Sequence, residues 1–424
     1  MSRSTCVIAG GGPAGAMLAF LLARAGVPVT LLEKHSDFLR DFRGDTIHPS
    51  TLQILAEAGL AEEFHRLPHR KAYRLSARTD DDEVQVADLS RLRGPYNYIA
   101  FVPQWDFLDL VTRAAARYPW FTLVMNAEVT GVIREGNAVR GLRYRDRVSG
   151  DEHELRATLT VAADGRRSDL RRAAGLVPVE YGAPMDAVWF RLPREPSDPE
   201  SPFLRASSGR LMVAINRETY WQLAYLIPKG GFEALRERGV EALRRSVAEL
   251  LPFLAGRVGL LEGFGDVSVL SVAVDRLRRW HRPGLLVIGD AAHAMSPVGG
   301  VGINLAVQDA VAAANLLAGP LLAGGGIPES LLARVQRRRA FPTAVTQLVQ
   351  RAAQNRIIGP VLSGPARPVR LPWFVRLPVT GAVIRRFVGL GVLPEHVRTP
   401  AISQQGERLS QSVDIPAGPP GGVQ

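Results

Sequence analysis

Residues 5–15, TCVIAGGGPAG, join a short apolar stretch to a glycine-rich turn, and residues 16–25, AMLAFLLARA, follow as an apolar run. The run is apolar on nearly every side and stops before Gly26, which is typical of a buried helix that ends at a glycine. Residues 27–32, VPVTLL, predict a second buried strand, which ends at Glu33. The order strand, turn, helix, strand and acid predicts a βαβ unit that binds a dinucleotide.

The glycines of this unit have separate expected roles. Gly10 allows the tight turn, Gly12 lets the backbone approach a pyrophosphate, and Gly15 lets the helix pack against the strand. The free amides and the positive dipole end of the helix then face the phosphates. Glu33 stands where an acid accepts both hydroxyls of an adenosine ribose, which favours FAD or NAD over NADP as the bound nucleotide.

Two later stretches repeat the pattern of a strand followed by a turn. Residues 159–163, LTVAA, precede Asp164-Gly165, and residues 285–288, LLVI, precede Gly289-Asp290. A glycine-rich segment then leads into a long alanine-rich helix at Gly302, which predicts a second helix N-terminus that faces a polar ligand.

Between these stretches, residues 177–275 alternate apolar and polar positions as strands do, with one helical piece at 232–251. We therefore predict an α/β protein: a Rossmann-like FAD-binding domain with an inserted antiparallel β-sheet substrate domain and a C-terminal helical segment. The expected segments are 1–74, 103–176 and 276–345 for the FAD-binding domain, 75–102 and 177–275 for the substrate domain, 346–399 for C-terminal helices and 400–424 for a disordered tail.

Composition narrows the class of protein. The chain has 424 residues, of which 46% are hydrophobic and 22% charged, a globular balance. The net charge is +11, but the cations are scattered and almost all are arginine, which favours a solvated surface over a nucleic-acid interface. A single cysteine, Cys6, together with the lack of a signal peptide or long apolar run, predicts a cytoplasmic protein without a transmembrane segment. The histidines show no metal-ligand spacing, so we expect no metal.

As an ordered set, GGGPAG with Glu33, the Asp164-Gly165 pair and GDAAHAMSPVGGVGIN at 289–304 resemble the single-component, class A FAD-dependent aromatic hydroxylases of the para-hydroxybenzoate hydroxylase type. The resemblance covers residues 5–345. It implies a Rossmann-like FAD domain and a substrate domain whose sheet roofs the flavin.

The resemblance also implies roles for single residues. Arg43 would lie between FAD and the nicotinamide donor, Gln104 near the ribityl chain and phosphate, Asp164 near both nucleotides, Asp290 on the ribityl chain, and Pro297 at the site of oxygen reaction. The whole set expected around FAD is Gly10, Gly12, Pro13, Ala14, Gly15, Glu33, Lys34, Arg43, Gln104, Val129, Asp164, Asp290, Pro297, Gly300, Val301, Gly302, Ile303 and Asn304. Taken singly, Arg43 also fits a surface residue, Asp290 a cap and Asp164 an ordinary turn.

The chemistry that the resemblance implies belongs to the cofactor. NADH or NADPH would reduce FAD, O2 would form a C4a-hydroperoxyflavin, and the peroxide would hydroxylate or epoxidise an electron-rich carbon. The backbone amides of residues 301–304 would stabilise negative charge on the flavin pyrimidine. The sequence holds no second Rossmann unit, so the nicotinamide nucleotide would dock transiently.

Strand alternation gives an expectation for the substrate pocket. It predicts that one face of a sheet carries Met212, Ala214 and Asn216, followed by Tyr220, Gln222 and Ala224. By the resemblance, Gln222 and Ala224 replace an arginine and a tyrosine that hold a benzoate carboxylate. We therefore expect a small apolar aromatic or polyketide-like substrate of the kind found in antibiotic biosynthesis.

His48 is a candidate proton relay, although a structural histidine is the favoured interpretation, and we assign no catalytic base. The motifs also fit two other functions: a flavin-dependent reductase or oxidase of a quinone or isoprenoid, and a flavin-holding cyclase in which FAD is structural. They do not decide between a monomer and a homodimer.

Overall fold

The computed structural model describes residues 4–39, 46–207, 209–363, 369 and 373–402. Its central sheet has eight strands, with Ser4–Ala9 in the middle. In spatial order the main path runs His281–Arg282, Leu285–Val287, Glu152–Ala162, Ser4–Ala9, Val29–Leu32 and Phe121–Val124. Ser4–Ala9 pairs in parallel with both of its neighbours, as the predicted βαβ unit requires. Ala127–Glu135 and Ala138–Asp146 extend Glu152–Ala162 as an antiparallel hairpin.

Apolar helices cover this sheet. Pro13–Arg24 starts with proline at its first position, as the helix N-terminus favours, and its residues 14–23 are buried. Gly302–Leu322 packs against it. The α-helices of the described residues are Pro13–Arg24, Pro49–Glu57, Ala61–Arg66, Gln104–Ala115, Asp169–Ala173, Phe232–Glu237, Val240–Leu250, Gly302–Leu322, Glu329–Ala353, Gly359–Ser363 and Pro378–Leu390.

Within the described part of the chain, Val298–Leu322 is the one stretch whose length and composition would allow it to cross a membrane. However, 72% of its most apolar window is buried inside the protein. Its apolar surface is therefore used in the core, against the first helix.

A second sheet of seven strands lies in the other domain, and we call it the roof sheet. In spatial order it runs Ser268–Leu270, Met185–Pro193, Tyr220–Pro228, Arg210–Asn216, Phe203–Ser207, Arg74–Arg78 and Glu83–Asp88. Its neighbours are antiparallel except for Phe203–Ser207 and Arg74–Arg78, which are parallel. Val240–Leu250 covers one face, which we call the outer face. The inner face meets the C-terminal helices and Val298.

Two details differ from the sequence-based expectations. The helical piece at 232–251 is two helices, because Gly239 interrupts it with φ of +78°. Ile99–Phe101, expected in the roof sheet, pairs instead with Thr46–Ile47 and Arg70–Ala72 in a small separate sheet. The ten residues between Asp88 and Ile99 carry the chain away from the roof edge, so strand character alone did not reveal the partner.

The C-terminal helices join the two domains. Glu329–Ala353 packs on Gly302–Leu322 and continues as a π-helical turn, Gln354–Ile358. Gly359–Ser363 then lies against the roof strands Tyr220–Pro228 and Arg210–Asn216. A two-stranded sheet of Pro178–Glu180 and Asp275–Leu277 pairs the two ends of the inserted segment. Of the predicted tail, residues 403–424 lie outside the described residues.

Candidate functional site

The glycine-rich turn has room for a ligand at one position only. A β-carbon on Gly10 would lie 2.4 Å from the carbonyl oxygen of Ala163, and one on Gly15 would lie 2.0 Å from the carbonyl oxygen of Gly10. A β-carbon on Gly12 would meet no described atom within 4 Å. The first and third glycines are therefore required by packing, whereas Gly12 leaves open space at the N-terminus of the helix, where a pyrophosphate fits.

Glu33 lies beside this turn and is 8% exposed. Its Oε2 accepts a hydrogen bond from the backbone amide of Gly11 at 2.9 Å, and its Oε1 accepts one from the amide of His35 at 3.1 Å. These bonds fix the carboxylate at the end of the second strand. This is the position from which an acid can reach an adenosine ribose.

The Asp164-Gly165 pair contacts the same turn. The Cα atom of Asp164 would lie 2.8 Å from a β-carbon on Gly10. Its carboxylate accepts hydrogen bonds from the hydroxyl of Ser168 at 2.5 Å and from the amide of Leu170 at 3.2 Å. Desolvation raises the pKa of Asp164, while these hydrogen bonds oppose the rise.

The Gly289-Asp290 turn completes the convergence. Gly289 has φ of +61°, and a β-carbon there would lie 2.9 Å from Cβ of Ala14 in the first helix. The side chain of Asp290 is 37% exposed, and its Oδ2 lies 3.9 Å from a guanidinium nitrogen of Arg166. The carboxylate of Asp290 is thus accessible. All three motifs meet at the N-terminus of the first helix.

A buried polar network behind this turn was missed by the sequence reasoning. Asp309 is fully buried and accepts hydrogen bonds from the amide of Gly289 at 3.1 Å, from Nε2 of His293 at 2.6 Å and from Nε of Arg339 at 3.0 Å. Arg339 also lies 3.5 Å from a carboxylate oxygen of Glu395. Burial by itself would raise the pKa of Asp309, but the hydrogen bonds from His293 and Gly289 and the positive charge of Arg339 lower it. The sequence contained one signal of this network: an acidic residue, Asp309, inside an otherwise alanine-rich, apolar helix.

The glycine-rich segment before the long helix is held by residues 46–51 of the same domain. The hydroxyl of Thr46 donates to the carbonyl oxygen of Gly300 at 2.8 Å, and Gly300 has φ of +63°. The side-chain oxygen of Asn304 accepts from the amide of His48 at 3.1 Å and from the hydroxyl of Thr51 at 2.6 Å. Its Nδ2 is buried without a partner among the described residues.

His48 is fully buried behind that segment. Its Nδ1 lies 2.6 Å from the carbonyl oxygen of Val388, and its Nε2 is buried without a partner in the described structure. Burial lowers the pKa of His48 to about 4, against the effect of the Val388 bond. The ring is therefore neutral at pH 7 and holds the C-terminal helix, which supports a structural role while leaving one nitrogen lone pair available.

The other predicted cofactor positions are less informative. Gln104 starts a helix, Val129 lies in the hairpin that extends the central sheet, and Lys34 is exposed. Arg43 lies outside the described residues. The amides of residues 302–304 form the first turn of Gly302–Leu322, where backbone donors have no partner within the helix.

The register of the roof sheet corrects the predicted substrate face. In the hairpin, Ala214 lies opposite Leu223, and Ile215 lies opposite Gln222. Residues that lie directly opposite share a face. The predicted pocket residues therefore divide between the outer face, with Met212 and Ala214, and the inner face, with Tyr220, Gln222 and Ala224.

Met212 and Ala214 are buried in a core formed with Leu243 and Val247 of the covering helix, so the prediction that they line the pocket was wrong. Four residues, 217–220, lie between the paired positions 216 and 221, and this even number reverses the alternation across the turn. Val213 and Ile215 share the inner face with Ala224 instead.

The arrangement fits FAD. The glycine turn offers an open cradle above Gly12, Glu33 is fixed at the ribose position, and Asp290 is accessible at the third motif. The unpartnered Nδ2 of Asn304 adds a hydrogen-bond donor at the start of the long helix. These residues offer an open cradle, an acid and a free donor that could hold a dinucleotide, and they include no nucleophile–base pair.

Comparison with known proteins agrees with this reading. Residues 3–349 match the FAD binding domain family. The 6-methylpretetramide 4-monooxygenase of Streptomyces rimosus is 34% identical over 387 residues, which are 90% of this chain and 91% of that protein. The dialkyldecalin synthase of Streptomyces rugosporus is 27% identical over 342 residues, 77% of this chain and 67% of that protein. The structure of p-nitrophenol 4-monooxygenase from Pseudomonas putida superimposes with a TM-score of 0.73 at 20% identity, over 91% of this chain and 94% of that one.

A Rossmann-like domain with an inserted roof sheet, and three motifs that converge on one cradle, define a flavoprotein that binds FAD. The similarity in fold and the match over 91% of a curated relative identify the family of this flavoprotein. The chain belongs to the family of class A FAD-dependent aromatic hydroxylases and is an FAD-dependent monooxygenase. The resemblance and the fold class expected from the sequence are thereby confirmed.

Proposed function

We propose that this monooxygenase uses NADH or NADPH and O2 to hydroxylate, or epoxidise, an apolar, electron-rich aromatic or polyketide-like substrate. The observation that carries the proposal is the inner face of the roof sheet. Leu211 and Leu226 pack there with Val298 of the third motif, and Val213 and Ile215 continue the apolar surface. We call the third motif, residues 289–304, the flavin-binding segment. An apolar wall beside it suits a substrate without a carboxylate anchor.

The relative from Streptomyces rimosus is named as a monooxygenase of 6-methylpretetramide, and this supports a substrate of that chemical type. For a hydroxylation, the balanced reaction is R–H, O2, NAD(P)H and a proton giving R–OH, water and NAD(P)+. When bound, FAD supplies the redox chemistry: it takes a hydride from the nicotinamide and passes one oxygen atom of O2 to the substrate.

The chain's own residues bind, orient and exclude water. The open cradle at Gly12 would hold the pyrophosphate, and the first amides of Gly302–Leu322 would favour negative charge on the flavin. The roof sheet keeps bulk water from the reacting centre. We propose that the nicotinamide nucleotide docks transiently near Asp164 and Arg43, with Pro297 on the side where O2 reacts.

The test is isotope labelling of the FAD-loaded protein. Purified protein is given a panel of naphthols and larger phenols with NADPH or NADH under 18O2. We expect nicotinamide oxidation that a phenol stimulates, and one 18O atom in the product. The control is the same assay with protein and phenol but without FAD, and it should give no product.

Other outcomes overturn the proposal in distinct ways. Redox turnover without label in any product would favour a reductase or oxidase of a quinone or isoprenoid. Product formed without nicotinamide would favour a flavin-holding cyclase with structural FAD. One relative is named as a synthase rather than a monooxygenase, the dialkyldecalin synthase.

A further inference from the structure

Three glutamines lie along one face of the long C-terminal helix. Gln347, Gln350 and Gln354 are 2%, 2% and 0% exposed. Their spacing of three and four residues is that of one helix face, whereas the neighbouring Leu348 and Asn355 are exposed. A buried row of primary amides is costly unless each amide is hydrogen-bonded, so each should have a partner.

Two of the three hold the flavin-binding segment. Nε2 of Gln347 donates to the carbonyl oxygens of Asp275 at 2.7 Å and Ala294 at 3.0 Å. Nε2 of Gln350 donates to the carbonyl oxygens of Ser296 at 2.9 Å and Val298 at 2.8 Å. These bonds fix the backbone on both sides of Pro297. Gln347 and Gln350 are thus positioning residues.

Gln354 is different, because both polar atoms of its side chain are buried without a partner among the described residues. It lies one turn beyond Gln350, which bonds Val298, and one turn before Ile358, which packs with Leu211 and Leu226 on the inner face of the roof sheet. Gln354 therefore lies on this helix between a residue that bonds the flavin-binding segment and a residue that packs on the inner face of the roof sheet. That inner face is the wall of the proposed substrate pocket.

The backbone is also unusual at this point. Gln354 begins the π-helical turn Gln354–Ile358, which interrupts an otherwise α-helical run. π-Helical turns are rare and are found frequently at functional sites. The turn changes the direction of the side chains that follow it, and Gly359–Ser363 then meets the roof strands.

We propose that Gln354 is a specificity-determining residue whose side-chain amide binds a hydrogen-bond donor and acceptor that lie side by side on the substrate, as in a carboxamide. This inference rests on the proposed function. A primary amide offers an acceptor oxygen and a donor nitrogen on one planar edge, which a second such edge complements. A site built to form hydrogen bonds discriminates strongly against an analogue that lacks the matching groups, because its own buried groups are then left unpaired.

The experiment compares two ligands on the FAD-loaded protein without nicotinamide, so that binding is measured apart from turnover. The ligands are 3-hydroxy-2-naphthamide, which carries the adjacent donor and acceptor, and 2-naphthol, which lacks them. Kd is obtained from the change in flavin absorbance on titration. We expect the wild-type protein to bind the naphthamide at least about tenfold more tightly than 2-naphthol.

The variant Gln354→Met keeps the length of the side chain and removes both polar atoms. It should abolish the preference for the naphthamide while the Kd of 2-naphthol stays within about twofold. Asn355→Leu, at the exposed neighbour in the same π-helical turn, should keep the preference. The ligand-free Tm of Gln354→Met should equal or exceed that of the wild type, since no described bond is lost.

An unchanged preference in Gln354→Met, or no preference in the wild-type protein, would overturn the inference. So would a lower Tm of the ligand-free variant, since it would indicate a structural partner for the amide. Label from 18O2 in a naphthol product reports on the proposed function separately, so the two can fail independently.

Discussion

Nε2 of His293 lies 2.6 Å from Oδ2 of Asp309, and both side chains are at most 1% exposed. The same carboxylate bonds the amide of Gly289 and the guanidinium of Arg339. A buried carboxylate is stabilised only when it is paired and hydrogen-bonded, and here the partners come from the flavin-binding turn and from the C-terminal helix. The contact therefore connects the fold of the C-terminal region with the geometry of the third motif.

Asp309→Asn should destabilise the protein strongly. The substitution removes one of the two buried carboxylates beside Arg339, and breaking one side of a buried ion pair costs about 3–5 kcal/mol in the free energy of unfolding. Urea unfolding monitored by circular dichroism measures the change. Asp109→Asn, which removes the partner of Arg113 in an exposed pair, should cost under about 0.5 kcal/mol. Equal stability of the two variants would contradict the role given to Asp309.

Gly12→Ala and Gly15→Ala should impair different properties: FAD binding in the first variant and stability in the second. Gly12 has φ of −70° and open space around a β-carbon, so Gly12→Ala should fold with an unchanged Tm but bind FAD weakly. Gly15→Ala places a β-carbon 2.0 Å from the carbonyl oxygen of Gly10, so it should lower the Tm even without FAD. The flavin content of the purified protein and thermal unfolding of the apoprotein separate the two effects. A Gly12→Ala protein that retains full FAD content would show that the pyrophosphate does not lie there.

His48 predicts a pH dependence of stability. Burial lowers the pKa of His48 from its ordinary value of 6.5 to about 4, so the fold favours the neutral ring. The contribution of the buried neutral His48 ring to the free energy of unfolding is fully present above pH 6.5. It is lost as the pH falls from about 6.5 to about 4, and the total loss is about 3 kcal/mol. His48→Gln should flatten this part of the curve of unfolding free energy against pH. His153→Gln, at an exposed histidine, should leave the curve unchanged. A steep acid limb that persists in His48→Gln would assign the dependence to other groups.

The two faces of the roof sheet should respond differently to truncation. Met212→Ala opens a cavity under the covering helix and should cost about 2–5 kcal/mol without a change in ligand Kd. Val213→Ala, one residue away on the inner face, should cost less but change the Kd of aromatic ligands by several-fold. Chemical denaturation and titration of the flavin absorbance provide the two measurements. If Met212→Ala were to alter ligand affinity while Val213→Ala did not, the assignment of the faces would be reversed.

The amino-acid sequence by itself determined the flavin-binding unit. The strand, the glycine turn, the helix and Glu33 are contiguous, so their chemistry depends on local spacing, and the parallel pairing of Ser4–Ala9 with Val29–Leu32 follows from it. Apolar helix composition likewise predicted the buried first helix. These features need only short-range geometry.

Tertiary structure decided the faces of the roof sheet and the buried polar contacts. An even number of residues, four, separates the paired Asn216 and Trp221 and reverses the alternation, and counting along a strand cannot detect such a shift because the side-chain period is two. Asp309, His293 and Arg339 are separated in the chain and become partners only when three elements pack together. Gln354 acquired its significance in the same way, since only the packed helix shows that its amide is buried without a partner in the described structure. Local patterns fix what a short segment forms, whereas long-range packing decides what its side chains meet.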